Sequence, residues 1–290
     1  MRLYKSLERQ SYRQFEWLVV DDCSNDSTVE IIENLKKNAS FDIRIIKNSE
    51  NKMVSYCCNL AVKRAAGEFF LFVGHDDELT DDSLATYAKE WESIDIEDRL
   101  GLAGMMANCC DENGEMVKDV FPESPMRMSF FEMYYIYNVT GEKSFCYRTE
   151  ILKENNFPCV DRYVSENTTL LGISDNYETH FFNKDLRIYR LNHENHQNLS
   201  KKLVKRILYP KGVWFSKLED INRRSHKFLK HRPDIYFKNL VNLSRFGLHA
   251  DITLKFTTSS LKFATHKGLF ILFFPVGLVL YLRDRRLSRV

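Results

Sequence analysis

This 290-residue sequence predicts an α/β fold: a mostly parallel central sheet flanked by helices, followed by a helical, basic C-terminal extension. Three observations carry that expectation. Short apolar runs alternate with amphipathic helical patterns near the start of the chain, two of those runs end in paired aspartates, and the charge changes sign near residue 200.

The elements follow in order. Residues 3–13 read as a helix, and "FEWLVVDD" (15–22) as a short strand that ends in acids. Ser24, Asn25, Asp26 and Ser27 offer N-caps for a helix over "STVEIIENLKK", which puts Val29, Ile32 and Leu35 on one face. "FDIRIIKN" (41–48) is a second strand, "VSYCCNLAVKRAAG" (54–67) a helix closed by Gly67, and "EFFLFVG" (68–74) a third strand. Such alternation marks a parallel sheet, whose carboxyl edge is where α/β folds bind ligands.

Asp21-Asp22 and Asp76-Asp77 both fall at that edge. Adjacent carboxylates raise one another's pKa unless a cation or hydrogen-bond donors compensate them. A magnesium-type ion holding a diphosphate is an economical compensation, since it takes one or two carboxylates and completes its shell with phosphate oxygens. "DDELTDDSL" also reads as a plain turn whose acids cap the next helix.

Net charge is +2, but its distribution is lopsided. Residues 201–290 hold 20 Lys and Arg against 5 Asp and Glu, whereas residues 1–200 hold 22 against 35. An acidic body with a basic tail points to an anionic partner for the tail, either nucleic acid or acidic lipid. The seven cysteines show two adjacent pairs and no C-x-x-C spacing, which suits reduced thiols in a cytoplasmic setting better than a zinc site. "MRLYKSLERQ" has no apolar stretch of the signal-peptide kind. "GLFILFFPVGLVLYL" (268–282) is 15 uncharged residues followed by "RDRRLSR": short for a span, interrupted by Pro275 and Gly277, and readable as a core helix or a membrane-associating segment.

"QSYRQFEWLVVDDCSNDSTVEII" and, about fifty residues later, "AAGEFFLFVGHDDEL" resemble the family 2 glycosyltransferases. The resemblance covers roughly residues 3–200. It implies an A-type, nucleotide-diphospho-sugar-binding domain that moves a sugar from a nucleoside diphosphate to an acceptor hydroxyl, usually with inversion. By position, Asp22 matches the acid that contacts the base or ribose, and Asp76 and Asp77 match the acids that bind the metal (Mg or Mn) and diphosphate. "GISDNYETHFFNKDLRIYRLNHEN" resembles the family's "G-x-E-D-x-e-l-x-x-R-l-l-x-x-G-y-k-i-x-y" followed by "H-E-N". That match puts Asp175 on the catalytic base and His193 on a histidine near the metal or diphosphate. Departures are visible: the family's opening strand "V-S-V-I-I-P" has no counterpart, Gly74 stands where an Asp is common, Cys58 where Arg is common, and Ser174 precedes Asp175.

The expectation is two domains, 1–200 for the nucleotide-sugar and 201–290 as a basic helical tail with its apolar segment at 268–282. The expected function is a glycosyltransferase at the inner face of the cell membrane, in surface polysaccharide or lipid-linked oligosaccharide synthesis. Its donor is a nucleoside-diphosphate sugar and its acceptor a saccharide or lipid-linked molecule; the tail meets a membrane surface, and no nucleic-acid motif appears. The rival expectation is a catalytically inactive relative that binds a sugar nucleotide or a protein. His193 and His196 read as well as plain loop residues, and the aromatic run 128–139 as core rather than site.

Overall fold

A computed structural model describes residues 1–190 and 203–287. In chain order the elements are α1 (Arg2–Glu8), β1 (Glu16–Asp21), α2 (Thr28–Lys36), β2 (Asp42–Lys47), α3 (Val54–Arg64), β3 (Phe69–Leu71), β4 (Glu78–Leu79), α4 (Ser83–Glu92), α5 (Ile96–Arg99), β5 (Leu102–Cys110) and β6 (Met126–Met128). A π-helical turn (Glu132–Ile136), β7 (Lys143–Arg148), α6 (Thr149–Glu154), α7 (Asn167–Ile173) and β8 (Glu178–Ile188) follow. The C-terminal helices are α8 (Leu203–Leu208), α9 (Pro210–His231), α10 (Pro233–His249), α11 (Leu254–Ser260) and α12 (Ala264–Leu287).

The expected class is observed: a sheet flanked by helices, then a helical region. Strand direction departs from the expectation of a mostly parallel sheet. β1 and β2 form a parallel pair, and a six-stranded sheet runs β3-β7-β5-β8-β4 with β6 on β8. In that larger sheet only β5 and β8 are parallel; the other four pairings are antiparallel. The reason lies in residues 111–142, which return the chain from β5 to β7 without a crossover helix, so the two strands run in opposite directions. Among the described residues no strand pairs the outer edge of β1 or of β3, and both strands are only half buried.

β5 is buried at every one of its nine positions. Its sequence, LAGMMANCC, is poor in the branched and aromatic residues that favour strands, so only its place between β7 and β8 makes it one. Gly104 is required there: a β-carbon would stand 2.4 Å from the Cys146 carbonyl oxygen on β7. The aromatic run folds as core, with Phe130, Phe131, Met133 and Tyr135 buried. α1 stops at Glu8, short of the expected residue 13, because Gln10 is recruited elsewhere. Its buried amide donates to the Thr80 carbonyl (2.8 Å) and accepts from Leu84 N (3.0 Å), while Ser6 Oγ accepts from Leu79 N (3.1 Å). α1 therefore clamps the segment that follows Asp76-Asp77.

Two compact units divide the chain: Met1–Asn156 with Leu170–His196, and Phe157–Thr169 with Gln197–Val290. A single cut at residue 200 does not describe that division. Phe157–Thr169 goes with the C-terminal helices because Asp161 accepts a hydrogen bond from Gly212 N (3.1 Å) and the Thr168 and Ser216 hydroxyls bond at 2.7 Å. Within the helical unit, Pro210 and Pro233 open α9 and α10 at positions where a missing N–H costs nothing. Asn222 then ties α9 to the chain before α12, donating to the Ser260 carbonyl and accepting from Lys262 N, both at 2.9 Å.

Candidate functional site

Asp21 and Asp22 sit where β1 ends. Buried Asp21 accepts from Ser24 N (3.2 Å), which turns the chain sharply through Cys23 at φ 67°. Asp22 reaches across to the loop before α3. One carboxylate oxygen accepts from Asn48 Nδ2 (2.9 Å) and Lys52 N (2.7 Å), the other from Met53 N (2.9 Å). Burial alone would raise the Asp22 pKa, but these donors outweigh it and hold the carboxyl below its ordinary value. Met53, at φ 78°, is a non-glycine residue in left-handed backbone, a strained geometry that the Asp22 bond helps to hold. The Cys57 thiol also hydrogen-bonds to Asp22, so four protein donors serve the carboxylate.

Asp76 and Asp77 lie in the turn between β3 and β4, closed by Asp77 N donating to the Gly74 carbonyl at 3.1 Å. Their carboxylates converge. Oδ1 of Asp76 and Oδ2 of Asp77 stand 2.9 and 3.0 Å from the point where a β-carbon on residue 74 would be. Gly74, which departs from the family pattern, is what leaves that cradle open. Asp77 is buried, and burial raises its pKa; Arg187 opposes the rise and Asp76 adds to it.

Arg187, at the end of β8, is the residue the sequence reading missed. Its Nε is 3.6 Å from Asp77 Oδ2, an ion pair too long for a hydrogen bond, and its Nη2 is 3.3 Å from Glu142 Oε2. Nε is buried with no hydrogen-bond partner among the described residues. Burial favours the neutral guanidine, but Cys109, Asp77 and Glu142 outweigh it and keep the group cationic. Next to it, burial with Glu142 and Asp77 nearby pushes Tyr189 up to about 12, and Arg190 holds Glu78 at 2.5 Å. No motif signals Arg187; only the β4–β8 register, which pairs Leu79 with Arg187, brings it to Asp77.

The other expected residues divide. Asp175 is in the turn after α7, with its N–H on the Gly172 carbonyl at 3.3 Å, three residues before β8 begins. Arg187, the partner of Asp77, is at the far end of the same strand. Nine residue steps at roughly 3.3 Å put about 30 Å between Glu178 and Arg187, so the structure does not bring Asp175 to the Asp76-Asp77 pair. His193 lies outside the described residues. Among the described residues no group of three or more His, Cys, Asp or Glu side chains converges as a metal site. A cation here would rest on two carboxylates and depend on its ligand for the remainder of its shell.

Known proteins resemble this chain in sequence and in fold. The family model for Glycosyl transferase family 2 matches residues 2–153. The poly(ribitol-phosphate) β-N-acetylglucosaminyltransferase TarS of Staphylococcus aureus is 29% identical over 160 residues, 53% of this chain and 26% of TarS. The GalNAc(5)-diNAcBac-PP-undecaprenol β-1,3-glucosyltransferase of Campylobacter jejuni is 23% identical over 190 residues, 64% of this chain and 59% of that protein. The chain thus spans about a quarter of the length of TarS. Two solved structures share the fold. TarS 1–349 in complex with UDP-GlcNAc has a TM-score of 0.57 at 21% identity, over 96% of this chain and 84% of that one. The Pyrobaculum calidifontis mannosyltransferase PcManGT, in complex with GDP-Man and Mn2+, has 0.53 at 14%, over 97% and 82%. With the family model matching more than half of its length, this chain belongs to glycosyl transferase family 2.

Proposed function

We propose that the chain transfers a sugar from a nucleoside-diphosphate sugar to an acceptor hydroxyl, with inversion, in the synthesis of a surface polysaccharide or lipid-linked oligosaccharide at the cytoplasmic face of a membrane. The observation that carries this reading is the convergence of Asp76 and Asp77 on the cradle at Gly74. Asp76 and Asp77 would hold a divalent ion, Mg or Mn, which when bound neutralises charge on the leaving diphosphate. Arg187 keeps the neighbourhood of Asp77 from accumulating uncompensated negative charge, and so favours its ionised form. Asp22 positions the Asn48–Met53 loop.

The base is the weak point of the match by letter. Asp175 stands between α7 and β8, about a strand's length from Arg187 and hence from the Asp76-Asp77 pair, which favours the second reading of a donor-binding relative without turnover.

Calorimetry with UDP- and GDP-sugars, with and without Mn2+, tests the binding claim. Metal-dependent donor binding that falls at least about tenfold in Asp77→Asn supports it, and metal-indifferent binding refutes it. Turnover separates the readings. Loss of at least about 10² in Asp175→Asn supports that residue as the base; full turnover by the variant removes it from the role. Donor binding with no transfer to any acceptor leaves the second reading.

A further inference from the structure

α12 has two unlike sides. His266, Phe270, Gly277 and Asp284 recur at close to helical spacing and are buried. On that side Gly277 meets α10 closely: a β-carbon would stand 2.0 Å from Ser244 Oγ and 2.7 Å from the Val241 carbonyl. Asp284 is clasped by Arg245 through two 2.6 Å contacts and by His249 at 3.1 Å. The opposite side carries Ile271, Leu272, Val276, Val279 and Leu282, all exposed, with Leu272 at 69% and Val279 at 64%. No charged residue interrupts 268–282, while exposed Lys262 lies before it and exposed Arg283, Arg285 and Arg286 lie after it.

By length and composition alone, α12 is the one helix among the described residues apolar enough to cross a membrane. Its packing argues otherwise. The uncharged stretch of 15 residues is about 22 Å long as a helix, against a hydrocarbon core of about 30 Å. To cross, α12 would also have to leave α10 and strip Asp284 of Arg245 and His249, or draw α10 into lipid with Asp234 and Lys238 on it. A helix held along one side by polar and close contacts, apolar on the other and cationic at both ends fits an interface instead. The cations select its occupant: anionic headgroups at both ends of an apolar stripe.

We propose that α12 lies flat in the surface of an anionic lipid bilayer, kept docked on α10 by Arg245–Asp284 and Gly277, with Leu272 and Val279 at the centre of the inserted stripe. This surface needs neither the metal nor the sugar donor, so it stands apart from the transfer reaction.

Flotation of the full chain with vesicles tests it. Binding is expected to phosphatidylcholine vesicles containing phosphatidylglycerol, at least about tenfold stronger than to phosphatidylcholine alone. Binding should weaken in high salt and be released by alkaline carbonate. Leu272→Glu with Val279→Glu should reduce it by at least about tenfold, while circular dichroism and melting temperature match the parent because both side chains are exposed. Carbonate-resistant retention would mean a span and overturn the proposal. So would undiminished flotation of the double variant, absence of flotation by the parent, or a lipid-free dimer that the two glutamates dissociate. Donor binding measured on the same variant should be unchanged; loss of donor binding in the parent would sink the transferase reading and leave the lipid surface intact.

Discussion

In the proposed function, Asp77 would link burial to ligand binding at the scale of one residue. Its pKa is raised from the ordinary 3.8 by burial first, with Arg187 opposing, so the ionised form that a cation needs is disfavoured in the free protein. A metal must displace the remaining proton. Affinity for Mn2+ with a nucleoside-diphosphate sugar should therefore rise as pH climbs above the ordinary aspartate value, and level off once Asp77 is ionised. Removing the cation in Arg187→Met should shift that rise to higher pH; calorimetry across pH reads both curves, and identical curves would remove Arg187 from the site. Asp22 has the opposite sign: its lowered pKa makes its contribution to stability fully present above 3.8 and lost as pH falls through the lower folded value. Asp22→Ala frees two backbone amides and should weaken donor binding about tenfold while costing about 1 kcal/mol in thermal unfolding.

Between residues and whole molecule, single contacts decide how elements meet. Gln10 is fully buried and joins α1 to Thr80–Leu84. Gln10→Ala would orphan the Leu84 amide, at about 1–3 kcal/mol by denaturant unfolding. It should also weaken donor binding, because the same segment follows Asp76-Asp77. On α12, Arg245→Met would leave the Asp284 carboxylate buried without its cation, a change expected to cost about 3–5 kcal/mol. Gly277→Leu should be comparably damaging, since Ser244 and Val241 leave no room for a side chain. Either variant should melt early, and wild-type melting in both would show that α12 is not docked on α10.

Charge is the property of the whole chain that ties its parts to one task. An acidic first part of the chain and a basic last part, 20 Lys and Arg against 5 acids over residues 201–290, suit a protein that meets a lipid surface while binding a metal–nucleotide complex. If the acceptor is lipid-linked, anionic vesicles carrying it should lower the apparent KM by about tenfold. Leu272→Glu with Val279→Glu should abolish that gain and leave transfer to a soluble acceptor unchanged. A kinetic assay with the two acceptors in parallel reads this directly.

Much of this was legible from residues alone where the physics is local. Helical spacing placed Ile32 on the inner face of α2, β1 ends at Asp21 as its sequence suggests, and the motifs pointed to the family that the family model matches. Three features were not legible, because they depend on residues far apart in sequence. β5 is a strand only because its neighbours surround it, Arg187 meets Asp77 only through the register of β4 on β8, and Asp175 resembles a catalytic acid by its letters but stands at the opposite end of the strand that carries Arg187. Periodicity and motifs report what a segment does with its nearest neighbours. Which distant charge comes to rest beside another, and which side of an apolar helix stays uncovered, is decided only when the whole chain is packed.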